Sequence, residues 1–277
     1  MVYFNTGGEG IQVIWYADFM QQLSLSNPFG APVCHAVTVS STMDESRRLA
    51  EQGLPHGTVI CADFQEAGRG RLRNRPWQAE RGKNLFFTIL LRYPQIEAVP
   101  PAITLKTGLA IARAIEDFAP PLAGTVQVKW PNDIMADNRK IAGILTEGDG
   151  RQIFIGVGVN VAQTEFPAEL RAKAGSIALA MGTVLSAESR FSLLEKILPR
   201  LYAELESAKS GSVLWRERLT ERLYRRGEQV CFVEGAADSG KEVRGVLAGI
   251  GEGGELLIVP KGETEARGFV TGELKVY

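Results

Sequence analysis

The sequence has few of the residues that build metal centres and disulfide frameworks. Its 277 residues include two histidines, His35 and His56, and three cysteines, Cys34, Cys61 and Cys231, which are far apart and form no C-x-x-C pair. This pattern indicates neither a disulfide framework nor a zinc site. A Ser-His-Asp triad lacks support too, because no G-x-S-x-G elbow is present. We therefore expect any catalysis to depend on lysine, arginine, carboxylate and backbone groups.

An excess of charge of one sign is also missing, as is any long apolar run. Lys plus Arg total 31 and Asp plus Glu total 32, so the net charge is -1 and no nucleic-acid or anionic-membrane partner is indicated. Segment 11–20 is interrupted by Gln12 and Asp18 and is shorter than the roughly 18 apolar residues of a membrane span. No basic segment precedes it, so it does not resemble a signal peptide. We expect a cytoplasmic protein.

Hydrophobic patterns predict a large α+β domain followed by a small β domain. Domains usually have about 150 residues, so 277 residues suit one large and one small domain. Residues 1–35 show no clear periodicity and are predicted to be an extension or an added strand. Strand and helix patterns alternate over 36–226, whereas short β runs and Gly-rich turns fill 227–277, as in a small β-barrel.

The local patterns predict individual elements. Strands are predicted at 35–39, 58–64, 84–92, 126–130, 140–147 and 152–161. Amphipathic helical periodicity covers 105–118 and 191–205. Ser41 and Thr42 open an earlier helix, in which Thr42 and Glu45 have the spacing of a capping box and Gly53 marks the end. Pro199 should kink or split the last helix.

The loop Gly68–Trp77, G-R-G-R-L-R-N-R-P-W, concentrates positive charge. Positions 69–83 hold five arginines and one lysine against one acid, Glu80, and four of the arginines alternate at 69, 71, 73 and 75. Arginine suits multidentate recognition of phosphate or carboxylate, and Gly68 and Gly70 allow close approach of the backbone to a ligand. A solvated basic loop and, with less support, a nucleic-acid patch stay open as alternatives.

The motif V-K-W-P-N-D at 128–133 places a cation at the mouth of the predicted sheet. Lys129 ends a strand, and Pro131 forces the chain out of regular pairing. Asn132 and Asp133 then offer short polar side chains close to that charge. The alternative is a structural turn with a Lys-Asp pair on the surface.

The motif R-K-I-A-G-I-L at 139–145 contains a second lysine. Lys140 follows Lys129 across a hairpin-like turn at 137–138, so both lysines could face one pocket. Gly143 interrupts a strong strand, where glycine indicates a bulge or a close backbone approach.

The motif I-G-V-G-V-N-V at 155–161 leaves one strand face without side chains. Gly156 and Gly158 share this face, which could accept a flat ligand, and Asn160 is next on it. Glycine tolerated for packing is the alternative for this motif, as it is for Gly143.

Taken together, these segments resemble the biotin protein ligase (biotin–[acetyl-CoA-carboxylase] ligase) family. The resemblance is carried, in chain order, by S-S-T at 40–42, F-Q-E-A-G-R-G-R at 64–71, G-K-N-L at 82–85, K-W-P-N-D at 129–133, R-K-I-A-G-I-L at 139–145, G-V-G-V-N at 156–160 and G-E at 272–273. The family implies a catalytic domain, 36–226, with a mixed β-sheet flanked by helices, and an SH3-like β-barrel, 227–277.

The resemblance implies an ATP-dependent reaction in two halves. Biotin attacks the α-phosphate of ATP to give biotinyl-5′-AMP and pyrophosphate, and a lysine of a biotin carboxyl carrier domain then takes the biotinyl group. Such chemistry needs charge neutralisation and positioning more than a strong base. Mg²⁺ would accompany ATP, without a metal site built from protein side chains.

The resemblance also implies roles for particular residues. Lys129 would bridge the biotin carboxylate and the α-phosphate. The residues implied for biotin binding are Ser41, Thr42, Gln65, Arg69, Gly70, Arg71, Lys129, Gly156 and Gly158. Those implied for catalysis are Arg69, Arg71, Lys129, Asp133 and Lys140. Those implied for ATP are Lys140 and Asn160.

The chain departs from the family pattern in the loop and at one pocket position. After G-R-G-R, the segment L-R-N-R-P-W lacks the usual glycine and is one residue longer, and Met43 replaces the usual Asn. Segment 1–35 has no room for the winged helix of the bifunctional repressor members, so neither DNA nor a membrane is an expected partner; monomer and homodimer stay open. A lipoate or octanoate protein ligase, disfavoured by G-R-G-R and K-W-P-N-D, and a non-catalytic biotin-binding paralogue are the alternative functions.

Overall fold

The computed structural model describes residues 20–71, 77, 79–209, 214–235 and 240–275. Its strands are β1 Met20–Leu23, β2 Val33–Val39, β3 Val59–Gln65, β4 Asn84–Arg92, β5 Gln127–Lys129, β6 Asp133–Ala136, β7 Arg139–Asp149, β8 Gln152–Asn160, β9 Gln229–Glu234, β10 Lys241–Ile250, β11 Leu256–Pro260, β12 Arg267–Phe269 and β13 Gly272–Lys275. Its helices are α1 Thr42–Glu51, α2 Ile103–Phe118, α3 Ile177–Met181, α4 Ser189–Lys209 and α5 Leu214–Glu221, with 3-10 turns at Ile96–Ala98 and Pro120–Leu122.

The first eight strands form one mixed sheet in the order β1-β2-β3-β4-β8-β7-β6-β5. β2 and β3 are parallel, with α1 as the crossover between them, and the other neighbouring pairs are antiparallel. β1 adds an edge strand to the sheet, so part of segment 1–35 is an added strand. Residues 1–19 lie outside the described residues.

Alternation along the central strands separates two buried faces of this sheet. Phe87 and its neighbours at odd positions of β4 belong to the larger core cluster with α2 and α4. Phe154 and Leu90 point the other way and belong to a smaller cluster with α1. Because helices cover both faces, β4 is buried along almost its whole length.

The last five strands form a second, antiparallel sheet in the order β12-β11-β10-β9-β13. It packs against the mixed sheet through Trp130, whose Nε1 donates to the carbonyl of Gly254 at 3.0 Å and whose ring lies 5.9 Å from that of Phe232. The predicted fold class, a mixed sheet flanked by helices and followed by a small SH3-like β unit, is confirmed. The division at residues 226 and 227 stays a prediction; β9 begins at Gln229.

The sequence patterns missed β6, which changes how the two motif lysines are related. The predicted strand 126–130 ends at Lys129, since Pro131 cannot continue the ladder. β6 then pairs with both β5 and β7, and the turn at Asp137 and Asn138, with φ of 48° and 56°, joins β6 to β7. Lys129 and Lys140 therefore lie on strands separated by β6.

The predicted capping box of α1 is wrong. Ser41 is the N-cap, and its Oγ accepts from the backbone N–H of Met43 at 3.2 Å. Thr42 is engaged elsewhere, because its backbone N–H and hydroxyl both bond to Gln65. Gly53, with φ of 94°, follows the helix as predicted.

Of the predicted kink or split at Pro199, the split is wrong, because α4 runs through this residue; the kink stays a prediction. A proline inside a helix costs about 3 kcal/mol. Leu194, Ile197 and Leu198 of this helix are fully buried, and each such side chain contributes about 1.5–3 kcal/mol. Packing against α2 therefore outweighs the local penalty.

Candidate active site

A solvent-open cleft lies on the α1 face of the mixed sheet. Its empty volume is about 530 Å³, part of it continuous with solvent, which suits a small-molecule site. Of the predicted biotin-binding, ATP-binding and catalytic residues, it is lined by Ser41, Thr42, Gln65, Arg69, Gly70, Arg71, Lys140, Gly156 and Gly158. Residues from α1, the loop after β3, β7 and β8 therefore meet at one place.

Glycines on β7 and β8 make room in the cleft for two protein side chains. Gly143 and Gly158 oppose each other across the two strands. A Cβ at either position would lie 2.9–3.1 Å from the ring of Trp77, and a Cβ at Gly156 would lie 2.8 Å from Cε of Met43. The flat group against the Gly143–Gly158 pair is thus the Trp77 indole, whereas the sequence predicted a bare face for a ligand.

The inner end of the cleft holds a neutral hydrogen-bond chain. Oε1 of Gln65 accepts from the backbone N–H of Thr42 at 2.8 Å and from its hydroxyl at 3.0 Å. The hydroxyl of Thr88 donates to that of Thr42 at 2.9 Å. Thr42 and Thr88 are fully buried, so the chain fixes the Gln65 amide at the cleft wall, where its N–H groups can donate to a ligand.

The mouth of the cleft carries cations, each tied to a neighbouring group. Nζ of Lys140 lies 2.7 Å from Oδ1 of Asp133 and 5.3 Å from the centre of the Trp77 ring. Nη2 of Arg71 donates to the carbonyl of Gly272, the first residue of β13, at 3.2 Å. The second sheet therefore touches the loop that borders the cleft.

Arg69 forms a two-pronged ion pair at the same mouth. Its Nη1 and Nη2 donate to the two carboxylate oxygens of Asp44 at 2.9 and 2.8 Å. This hydrogen bonding raises the pKa of the Arg69 guanidinium, which stays charged. Arg73 and Arg75, the other alternating arginines, lie outside the described residues.

Lys129 does not line the cleft but belongs to the adjoining charge cluster. It pairs with Asp133 in the β5–β6 ladder. Burial lowers the pKa of Lys129, the carboxylates of Asp133 and Glu273 oppose that shift, and Lys140 and Arg71 add to it. Since Asp133 pairs in turn with the cleft residue Gly143, Lys129 lies on the cleft face of the sheet and adds positive potential beside Asp133.

Asn160 and Asp133 are likewise not among the residues that line the cleft. Asn160 is buried and donates from Nδ2 to the carbonyl of Gly175 at 2.8 Å. Its Oδ1 has no hydrogen-bond partner among the described residues. Asp133 is linked to the cleft residue Lys140 by an ion pair at 2.7 Å.

Several lining residues were not predicted as site residues. These are Met43, Trp77, Phe86, Asn132, Gly143, Ile144, Leu145 and Val157. Trp77 matters most among them, because its ring packs edge-on against Phe86 at 6.5 Å and faces Lys140. The available signal was the pair of glycines at 143 and 158, which leaves space for one ring on adjacent strands.

The described ranges contain neither a metal-binding cluster of protein side chains nor a helix that could span a membrane. Within them, no group of three or more His, Cys, Asp or Glu side chains could hold a metal ion. Mg²⁺ carried by a nucleotide takes most of its ligands from phosphate and water, so such an ion would not need a protein cage. None of the helices in these ranges is long and apolar enough to cross a membrane.

Comparisons with known proteins agree with this architecture. The sequence profile of the Biotin/lipoate A/B protein ligase family matches residues 35–160. The biotin–[acetyl-CoA-carboxylase] ligase of Paracoccus denitrificans is 31% identical over 227 residues, which cover 79% of this chain and 90% of that protein. A biotin protein ligase from Aquifex aeolicus, solved in complex with biotin and ATP, aligns with a TM-score of 0.73 at 27% identity, over 88% of this chain and 97% of that chain.

Other relatives are longer than this chain. The bifunctional ligase/repressor BirA of Bacillus subtilis is 36% identical over 151 residues, 52% of this chain and 45% of BirA. The chain thus spans about half the length, or less, of three BirA proteins that it matches and 64% of the BirA of Salmonella typhimurium. With the near-complete match to the Paracoccus protein, the fold and the cleft define one class: the chain belongs to the biotin/lipoate A/B protein ligase family.

Proposed function

We propose that this chain is an ATP-dependent biotin–[acetyl-CoA-carboxylase] ligase. It activates biotin to biotinyl-5′-AMP and then transfers the biotinyl group to a lysine of a biotin carboxyl carrier domain. The observation that carries the proposal is the cleft, which joins the Thr42–Gln65 hydrogen-bond chain to the cations Arg69, Arg71 and Lys140. The neutral end suits a urea-like head group, and the cationic end suits a carboxylate meeting a polyphosphate.

In the first half-reaction, a carboxylate oxygen of biotin bonds to the α-phosphorus of ATP. The bond from that phosphorus to the pyrophosphate oxygen breaks, and pyrophosphate leaves. Both reactants are anions, so the protein must lower their repulsion and hold them in line. Lys140 supports this step best, because it lines the cleft and Asp133 fixes its ammonium at 2.7 Å.

This assignment differs from the role that the sequence resemblance implied for Lys129. Lys129 shares the cleft face of the sheet with Asp133 and Gly143 but is not among the residues that line the cleft, so we assign to it the positive potential that it adds beside Asp133. Asn160 would serve the nucleotide side through the carbonyl of Gly175, which it holds.

In the second half-reaction, the neutral amine of the carrier lysine attacks the acyl carbon. The bond between that carbon and the phosphate oxygen breaks, AMP leaves, and the amine loses a proton. Mg²⁺ with ATP would supply further charge neutralisation, and no residue of this chain is assigned to it. We place the reaction in the cytoplasm, with no DNA or membrane partner and with the monomer or homodimer state open.

The test is ATP–pyrophosphate exchange by the purified protein with biotin, lipoate, octanoate or no acid. Exchange that depends on biotin alone is the expected result. Exchange with lipoate or octanoate would assign the sister activity. Absence of exchange with every acid, while biotin still binds, would leave a binding module.

A further inference from the structure

A chain of alternating charges joins the cleft mouth to α1 and β7. Arg69 is held by both carboxylate oxygens of Asp44, and its Nη2 also lies 3.6 Å from Oε2 of Glu147. The same Glu147 oxygen accepts from Nη2 of Arg47 at 2.6 Å. We name Asp44, Arg69, Glu147 and Arg47 the rim clasp.

The rim clasp ties together parts of the chain that are distant in sequence and border the cleft. Asp44 and Arg47 belong to α1, just after the cleft residue Thr42, and Glu147 follows the cleft residue Leu145 on β7. Arg69 is the member on the loop. Its guanidinium is therefore the connection from the loop to both walls.

Backbone hydrogen bonds hold the neck of the loop, and side chains connect the segment beyond it to the cleft walls. Ala67 donates to the carbonyl of Ser40 at 2.8 Å, and Trp77 donates to the carbonyl of Gly68 at 3.0 Å. Beyond Gly68, the described contacts of the loop with the cleft walls are made by side chains. The ion pairs of Arg69 and the bond from Arg71 to Gly272 thus connect segment 68–71 to its surroundings.

The geometry of the clasp makes it selective for arginine at position 69. Asp44 lies in the first turn of α1, where a carboxylate is favoured by the helix N-terminus, so its position is set by the helix. Asp44 uses two of the five N–H donors of the guanidinium, and the remaining donors are available to a phosphate. Lysine cannot make both contacts at once.

We propose that Asp44 and Glu147 are positioning residues that hold Arg69 across the cleft mouth and thereby keep segment 68–71 closed over the acyl-adenylate. The proposal rests on the proposed function, because it needs an adenylate to retain. Asp44 does not touch the reacting atoms. Its effect is on how long the intermediate stays bound.

The test compares Asp44→Asn with Asp44→Glu and with a matched control, Asp117→Asn. Asp117 forms an equivalent two-pronged pair with Arg200, at 2.6 and 2.9 Å, between α2 and α4 and away from the cleft. The side chains of both pairs are about one third to one half exposed. The readouts are the half-life of biotinyl-adenylate on the protein after rapid removal of free substrates, and kcat for pyrophosphate exchange.

We expect Asp44→Asn to shorten the half-life about fivefold, the upper range for a surface ion pair, with kcat for exchange nearly unchanged. Asp44→Glu should restore most of the retention, and Asp117→Asn should match the unmodified protein. If Asp44→Asn matches Asp117→Asn, the clasp is only a surface ion pair. A longer half-life in Asp44→Asn would also overturn the proposal, because Asp44 would then compete with the ligand for Arg69.

A second measurement separates this proposal from the proposed function. Amide hydrogen exchange over residues 66–71, recorded without substrates, should be faster in Asp44→Asn than in Asp117→Asn. The unmodified protein could form no adenylate while amide hydrogen exchange over 66–71 is still faster in Asp44→Asn. In that case the proposed function fails, but the conclusion that the rim clasp holds this segment stands. If amide hydrogen exchange over this segment is the same in Asp44→Asn and Asp117→Asn, the proposed role of the rim clasp is wrong, whatever reaction the protein catalyses.

Discussion

The inner end of the cleft is stabilised by buried neutral hydrogen bonds, whereas its mouth is stabilised by partly exposed ion pairs. At the inner end, Thr42, Thr88 and Gln65 form neutral hydrogen bonds of 2.8–3.0 Å between largely buried groups. At the mouth, the pairs Lys140–Asp133 and Arg69–Asp44 have side chains that are 20–47% exposed. A buried donor or acceptor that loses its partner costs about 1–3 kcal/mol, whereas an exposed ion pair contributes about 0–1 kcal/mol to stability.

This difference implies that the two ends of the cleft have different roles. The inner end should govern which acid binds and should matter for folding. The cations that line the mouth should matter little for folding and much for the handling of polyphosphate, because charges act strongly on a transition state that develops charge between them. Variants at the two ends can therefore be told apart by stability and kinetics measured together.

The largest expected effect is at the mouth. Lys140→Ala should lower the rate of biotin-dependent pyrophosphate exchange by about 100-fold, the usual loss when one electrostatic stabiliser is removed. The midpoint of urea unfolding should barely change, because the Lys140–Asp133 pair is partly exposed. Lys129→Ala is the matched variant and should lose far less activity; an equal or larger loss would return the bridging role to Lys129.

The next effect is at the inner end. Thr42→Val keeps the shape but leaves Gln65 and Thr88 without a hydroxyl partner, so we expect about 1–3 kcal/mol of destabilisation and a KM for biotin raised about tenfold. The KM for ATP should be unchanged in this variant. Thr104→Val removes a comparable hydroxyl pair with Thr146, at 2.9 Å on the other face of the sheet, and should leave both KM values unchanged.

A smaller effect is expected where the mouth meets the second sheet. Arg71→Gly removes the bond to the carbonyl of Gly272 and one cation of the cleft, so biotinyl-adenylate should escape several-fold faster. The measurement is labelling of a bystander protein rich in lysine, beside labelling of a carrier domain. Unchanged selectivity for the carrier would remove Arg71 from the retention of the intermediate.

The smallest effect concerns stability and pH at Lys129. Burial lowers the pKa of Lys129 from its ordinary value of 10.5, so the folded state disfavours the charged form, and its charge opposes folding at neutral pH. That opposition fades as the pH rises through the folded-state pKa toward 10.5. Lys129→Met should therefore raise the Tm at pH 7 and have less effect at pH 10; a lower Tm at pH 7 would contradict this reading.

The sequence predicted the fold class well because it depends on regular patterns. The apolar run of β4 and the 3.6-residue period of α2 are visible in any window of the chain. β6 was missed because it is only four residues long and lies between Pro131 and the turn at Asp137. Pro199 misled the reading of α4, since local propensity carries no information about the packing that overrides it.

The candidate site was predictable in its members but not in their arrangement. The register shift between β6 and β7 pairs Met135 with Lys140 and so turns Lys140 to the face that carries Asp133; a shift of one residue exchanges the two faces of a strand. The pairing of Arg69 with Asp44 depends on how the loop packs on α1. Neither the register shift nor the pairing of Arg69 with Asp44 can be predicted from the residues of the motifs.

The most direct measurement of the central claim is competition among acids in one reaction. The purified protein is incubated with ATP, Mg²⁺ and equal amounts of biotin, lipoate and octanoate, and the acyl-adenylates bound to it are identified by mass spectrometry. The account predicts biotinyl-5′-AMP as the dominant species and its near-absence in Lys140→Ala. A different acyl-adenylate, or none from a folded protein, would contradict it.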